Sequence, residues 1–452
     1  MTSLNMKYAL ALSAGLFLTA AAFAQETVQE PAHTGPWSLQ DCIDYALDHN
    51  ISVKQSELAI QQGEIELNNA RLSRLPDLSG SVSENFSFGR GLTEDNTYDN
   101  ANTTSTGLSL GTSVPVFQGF RIKHNIAMSR LNLDAATADL DKTKEDISVS
   151  VAKAYVQILY DREIFEVAKG QIVIDSLQVE RLEIMAGSGR ASSAEVSAQK
   201  ASLAQSRLSA TQALNNLNLA VLDLTQLLEL PSPEGFVIEA PSTDALQPVL
   251  LMKPEDIYAE AVQTKPAIKS QLAMVDYAKS GISLAKSGWY PTLSLSGGIG
   301  TNYYTSSHYA SASFADQMKN NFSQYIGINL NIPIFDRLQT KNSVRQAKLQ
   351  LANSEYQLES TKKSLYKEIQ QAYYNAVASQ SKYESSTLAA DSAKESFELM
   401  TAKYEAGKAN ITEFNESKNK YMEAEANLVQ ARYEYLFQTR LLDFYRGLPL
   451  TF

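Results

Sequence analysis

The chain has 452 residues, 44% of them hydrophobic, enough to bury a large core, which excludes an intrinsically disordered protein. Its single cysteine, Cys42, excludes an intramolecular disulfide scaffold and is expected to be a half-buried apolar residue. With 39 basic against 50 acidic side chains the net charge is −11, and a nucleic-acid partner is disfavoured because binding a polyanion needs clustered positive charge.

Residues 1–24 carry Lys7, a short apolar run over residues 8–17, and Ala22-Phe23-Ala24 ahead of Gln25. This is the pattern of a secretory signal peptide, whose removal leaves a chain of charge −12. Beyond it no stretch reaches the roughly 20 apolar residues of a spanning helix, so any membrane crossing must use strands. The remainder is written twice. Asp41, Ala46, Val53, Lys54 and Pro76 match Asp256, Ala261, Ile268, Lys269 and Pro291 at an offset of 215. Pro115-Val116-Phe117 matches Pro333-Ile334-Phe335, and Gly189, Glu195 and Lys200 match Gly407, Glu413 and Lys418, all at an offset of 218. A repeat of this length is a duplicated domain, over residues 25–230 and 254–447, and not a solenoid. The proline-rich residues 231–253 form the connector.

Each repeat opens with a helix, starting at Ser38 and Asp41 as a capping box and continuing as one helix over residues 43–75 until Pro76 stops it. The period then falls to two. Leu78, Val82, Phe86 and Phe88 alternate with serines and asparagine, and Leu108, Leu110, Val114 and Val116 alternate with glycines and serines. The second repeat does the same with Leu293, Leu295, Ile299 and Tyr303, then Ile326, Ile328, Leu330 and Ile332. The expected strands, 78–88, 106–116, 292–303 and 323–332, have the length of tilted bilayer-crossing strands. A sheet on a soluble core alternates in the same way, but four strands cannot close a membrane barrel and open edges are not tolerated in lipid, so the missing strands must come from other copies. Gly297-Gly298-Ile299-Gly300 lies within such a strand and marks close packing, not a nucleotide loop.

Long helical hairpins follow, over residues 121–229 and 337–445. Their first arms, 121–189 and 337–407, span roughly 100 Å at 1.5 Å per residue. The return arms keep a seven-residue register at Phe414, Tyr421, Leu428, Tyr435 and Leu442, and at Val196, Leu203, Ala210, Leu217 and Leu224. Antiparallel coiled coils follow from such seams, with no cofactor site. No HExxH, phosphate loop, GxSxG or paired CxxC occurs, and His33, His49, His124 and His308 lie far apart, which argues against an enzyme, a cofactor or a metal centre. A non-transporting trimeric coiled-coil envelope protein, adhesin or spacer, would share the heptads but has no use for matched strand pairs.

This order of helix, two strands and long hairpin, duplicated behind a signal peptide, resembles the TolC family of outer-membrane efflux proteins. The most specific pieces are Trp289-Tyr290-Pro291 before a strand, Val114-Pro115-Val116-Phe117 and Ile332-Pro333-Ile334-Phe335 after strands, and Tyr404-Glu405-Ala406-Gly407 leading to Glu413. The resemblance implies a homotrimer in the Gram-negative outer membrane, mainly α with a membrane β part: a 12-stranded barrel continued by a periplasmic coiled-coil tunnel. It further implies a passive exit duct of a tripartite efflux or type I secretion system, served by a periplasmic adaptor and an inner-membrane pump. By resemblance, Tyr404 and Glu195 belong to the bonds closing the tunnel end, and Glu413 and Glu416 to a carboxylate ring at the constriction. The hairpin tips, Gly189, Arg190, Gly407 and Lys408, are the expected docking surface for the adaptor. Ala409 stands where the family has an arginine, and Arg190 or Lys408 are the candidates for the missing positive charge.

Overall fold

The computed structural model describes residues 35–92, 97–100, 102–240, 251–307 and 310–451. The signal peptide, His33, His308 and the middle of the 231–253 connector lie outside these residues. Ser38 and Asp41 close the expected capping box on α1 (Leu39–His49), with the Asp41 N–H donating to Ser38 Oγ at 3.1 Å and the Ser38 N–H to Asp41 Oδ2 at 3.0 Å. The helix does not then run unbroken to Leu75. Asn50, in extended conformation, ends α1 and caps α2 (Ile51–Leu72), its side chain accepting from the Ser52 N–H at 2.9 Å. The break is held from a distance, because Asn50 Nδ2 donates to the Leu227 carbonyl at 3.0 Å.

The second repeat breaks at the matching place with different chemistry. Lys265 separates α5 (Pro254–Thr264) from α6 (Pro266–Lys286), and its Nζ donates to the Phe444 carbonyl at 3.1 Å and to Glu145 at 3.2 Å. Both breaks therefore satisfy a carbonyl in the last turn of their own repeat's return helix, one of the orphan groups every helix end leaves. Burial lowers the Lys265 pKa, and the same burial raises that of Glu145.

The strands are β1 (Ser79–Ser87), β2 (Arg90–Leu92), β3 (Tyr98–Asn100), β4 (Thr103–Gln118), β5 (Thr292–Ser306) and β6 (Ser323–Asn331). β2 and β3 form a small ribbon; the others form one antiparallel sheet in the order β1-β4-β5-β6. The register sets Val82 opposite Leu108, Leu110 opposite Ile299, and Leu295 opposite Ile328, so one apolar face runs across all four strands. It is exposed in the single chain, with Ile326 at 86% and Val82 at 77%. Serines, glycines and asparagines line the other face, where Ser81 and Ser109 hydroxyls meet at 2.7 Å. There the Tyr325 ring lies over Gly298: a Cβ at this position would sit 2.7 Å from the ring and 2.9 Å from the Leu110 carbonyl. Gly298→Val is expected to destabilise the sheet by about 1–3 kcal/mol, visible as a lower melting temperature of the detergent-solubilised protein.

Above residue 300, β5 outruns β6, and α7 (Phe314–Asn320) covers the bare edge. The Gln317 amide substitutes for a strand, accepting from the Tyr304 N–H and donating to the Tyr304 carbonyl, both at 2.9 Å.

The hairpins are α3 (Arg121–Gly187) with α4 (Ser193–Leu227), and α8 (Gln339–Glu405) with α9 (Ile411–Tyr445). Their arms have equal lengths in the two repeats, 67 and 35 residues. Near the sheet, α2 packs on α3, α3 on α6, and α6 on α8. This repeats the strand order because each helix continues one strand. Farther down, α9 packs on α3 and joins the two hairpins. The largest core gathers Cys42, Ala46, Tyr155, Leu159, Leu224 and Tyr433 where α1, α3, α4 and α9 meet; a second surrounds Ile257, Ile268 and Ile369. Cys42 is fully buried rather than half-buried, and burial pushes its thiol up to about 12, far from reactivity. Among the described residues no helix is long and apolar enough to cross a membrane.

Candidate functional site

Both hairpins reverse through the same turn. Gly189 and Gly407 take φ of 73° and 69°, which a side chain would oppose. Around them the Arg190 N–H bonds the Met185 carbonyl at 2.8 Å and the Lys408 N–H bonds the Lys403 carbonyl at 2.9 Å, closing matched Schellman turns. Each return helix then starts on a capping box. Ser192 and Glu195 cap α4, with the Ser192 N–H donating to Glu195 at 2.7 Å; Asn410 and Glu413 cap α9, with the Asn410 N–H donating to Glu413 at 2.9 Å. These bonds hold the Glu195 carboxyl below its ordinary range. Glu413 and Glu416 lie on the exposed side of α9, and the hydrogen bond from Lys420, at 2.8 Å, lowers the Glu416 pKa.

Tyr404 sits at the end of α8, its ring 5.0 Å from that of Phe414, which is fully buried and also touches Phe397. Burial raises the Tyr404 pKa, with Arg181 opposing and Glu195 adding to the rise. Glu195 thus approaches Tyr404, while its own hydrogen bonds go to Ser192. A positive charge that the sequence did not single out also stands at this level. Arg190 donates to Ser188 within its own turn, whereas Arg181, on α3, lies 5.3 Å over the Tyr404 ring and 3.3 Å from Glu405. It reaches the second hairpin from the first.

Six residues up α3, about 9 Å, a second set of cross-hairpin contacts is buried. Lys418 of α9 meets Asp175 of α3 at 2.5 Å, both side chains at 0% exposure. Gln199 and Ser206 of α4 donate to the same carboxylate, and Asn415 donates to Gln199 at 3.1 Å. Higher still, Arg432 and Glu163 pair at 3.3 Å. None of Arg181, Asp175, Arg432 or Glu163 stood out in the sequence. Lys418 did so only as the match of Lys200, although a lysine four residues after Phe414 and next to Ser417 falls on the packed side of α9 and was a usable signal.

The model of the outer membrane efflux protein family matches residues 42–229 and 257–447. The chain is 25% identical over 376 residues to the outer membrane protein TolC of Escherichia coli (strain K12), covering 82% of this chain and 74% of that protein. It is 24% identical over 388 residues to protein CyaE of Bordetella pertussis, covering 86% and 79%. Among solved structures, CusC superposes with a TM-score of 0.75 at 17% identity, over 94% of this chain and 96% of that one. A membrane protein from Pseudomonas aeruginosa gives a TM-score of 0.75 at 19% identity, over 91% and 93%. Two matched repeats, a shared fold and channel-forming relatives agree: the chain belongs to the outer membrane efflux protein family, the TolC-type channels of the Gram-negative outer membrane that extend into the periplasm.

Proposed function

We propose that three copies of the chain form an exit duct of a tripartite efflux or type I secretion system, its β-sheets closing one barrel and its hairpins one tunnel. The observation that carries this is the sheet itself: four strands with an exposed apolar face and, among the described residues, no second neighbour for β1 or β6. Such a sheet is stable in lipid only when its edges are paired, so β6 of one copy meets β1 of the next. The helices beneath support the same join. α2 and α8 flank the helical layer, and α2 exposes Ile51, Leu58, Ile65 and Leu72 seven residues apart, facing the side on which a neighbour's α8 would bring Leu349 and Tyr356.

The protein performs no chemistry in this role; it is a passive conduit closed at the periplasmic tips. Tyr404, Glu195 and Arg181 belong to that closed end, and the exposed turns at Gly189, Arg190, Gly407 and Lys408 are the docking surface for a periplasmic adaptor, behind which an inner-membrane pump selects the cargo. Threefold symmetry brings the exposed Glu413 and Glu416 of each chain together as a carboxylate ring. The test is reconstitution in a planar bilayer. A particle of three chains carrying an ionic current supports the duct, and a stable monomer without current removes it. E413Q/E416Q is expected to weaken the cation preference of that current; unchanged reversal potentials in a salt gradient would rule out the ring.

A further inference from the structure

The seams inside the second hairpin and the seam between hairpins differ in kind. Within the second hairpin, aromatic rings hold α8 to α9: Phe397 with Phe414 and Tyr421, Tyr404 with Phe414, and Tyr383 with Tyr435. At the level of Asp175 the hold between hairpins is polar. Among the described residues the hydrogen-bond partners of Lys418 there, Asp175 and Ser202, both come from the first hairpin, and Asp175 is shared further with Gln199 and Ser206. The register does not by itself demand this burial. Lys200, the match of Lys418 in the first repeat, pairs in solvent with Glu183 at 2.7 Å, and the position matching Asp175 in the second repeat is Ala393.

We infer that the Asp175–Lys418 layer is the release point of the tunnel gate, the contact whose hydration lets the second hairpin move as a unit away from the first; this rests on the duct reading above. The tip pair of half-buried Arg181 and exposed Glu405 is open to solvent on one side and screened, so it holds little. The buried pair behaves differently. Its Coulomb attraction is largely offset by the loss of hydration, so separating both charges fully into water is nearly neutral, whereas a dry, half-parted state leaves each charge uncompensated. The layer therefore has two states, shut and wet. Two further acceptors bias it toward the wet one: Gln178 Oε1 and Asn415 Oδ1, one turn from Asp175 and Lys418, are buried without a donor among the described residues and would gain water on parting. An apolar seam would lack this property and stay shut.

The experiment compares single-channel conductance of the trimer in planar bilayers for wild type, K418M, D175N and D175L/K418M, with the molar mass in detergent confirming assembly of each. Both single substitutions leave one partner uncompensated and are expected to raise conductance several-fold, while the apolar double variant stays at or below the wild-type level. D175N, which keeps the shape of the aspartate, decides the matter if K418M does not assemble. If the assembled variants all carry the wild-type current, the release point lies elsewhere and the duct reading stands. If inserted wild type and variants alike carry no current, the duct reading fails and this inference with it.

Discussion

L58D/I65D is expected to abolish assembly, leaving a monomer that no longer enters the membrane. Leu58 and Ile65 are 56% and 60% exposed in the single chain and seven residues apart on α2, so the substitutions remove nothing from the chain's own core. At a seam with a neighbouring copy each loses about 2–3 kcal/mol of apolar burial and adds a carboxylate that must be desolvated. The loss recurs at every seam of the ring, far beyond what a closed oligomer tolerates. Multi-angle light scattering in mild detergent, corrected for bound detergent, reads the outcome. Far-ultraviolet circular dichroism should keep the helical signal, since the cores around Leu159 and Ile369 are untouched. A trimer of normal mass would show that this face of α2 looks toward solvent.

I328R is expected to block stable insertion while N329R is tolerated. The two residues are consecutive on β6, so their side chains leave opposite faces of the sheet. Ile328, 75% exposed, lies on the apolar face opposite Leu295, and Asn329 lies on the face of serines, glycines and asparagines opposite Ser294. An arginine at the bilayer midplane costs about 2–4 kcal/mol per chain, whereas one facing an aqueous lumen costs little and alters ion selectivity. Outer-membrane fractions of cells expressing each variant, with heat-resistant trimer measured on gels, separate the two. Equal sensitivity to both substitutions would show that the Asn329 face does not line an open aqueous lumen.

Much of this protein was legible because its signals are local and periodic. The offsets of 215 and 218 announced two repeats of one design, and the equal arms of 67 and 35 residues show the design in space. The change of period after Pro76 and Pro291 marked the strands, since a side chain's face in a strand depends only on the parity of its position. The glycine turns at the tips and the cap at Ser38 follow from backbone preferences of a few neighbouring residues.

The helix breaks at Asn50 and Lys265 were passed over because apolar periodicity continues through both, although Asn50 is a good N-cap residue and Pro266 breaks a helix at the residue before it. What holds each break in place, a carbonyl at Leu227 or Phe444 about 180 positions away in the chain, had no local signal. The same applies at the tunnel end. Tyr404, Glu195, Glu413 and Glu416 were placed by their match to a family pattern, but the arginine beside Tyr404 is Arg181, from the other hairpin, and no spacing in the sequence connects residues 181 and 404. Lys200 and Lys418 hold equivalent positions in the two repeats, and one is solvated while the other is enclosed. By itself, the sequence determined the elements, their duplication and the two-sided character of the strands, because these depend on neighbours a few residues apart. Only the tertiary structure decided which charges are buried and which helices are tied together, because those depend on side chains that meet through packing and not along the chain.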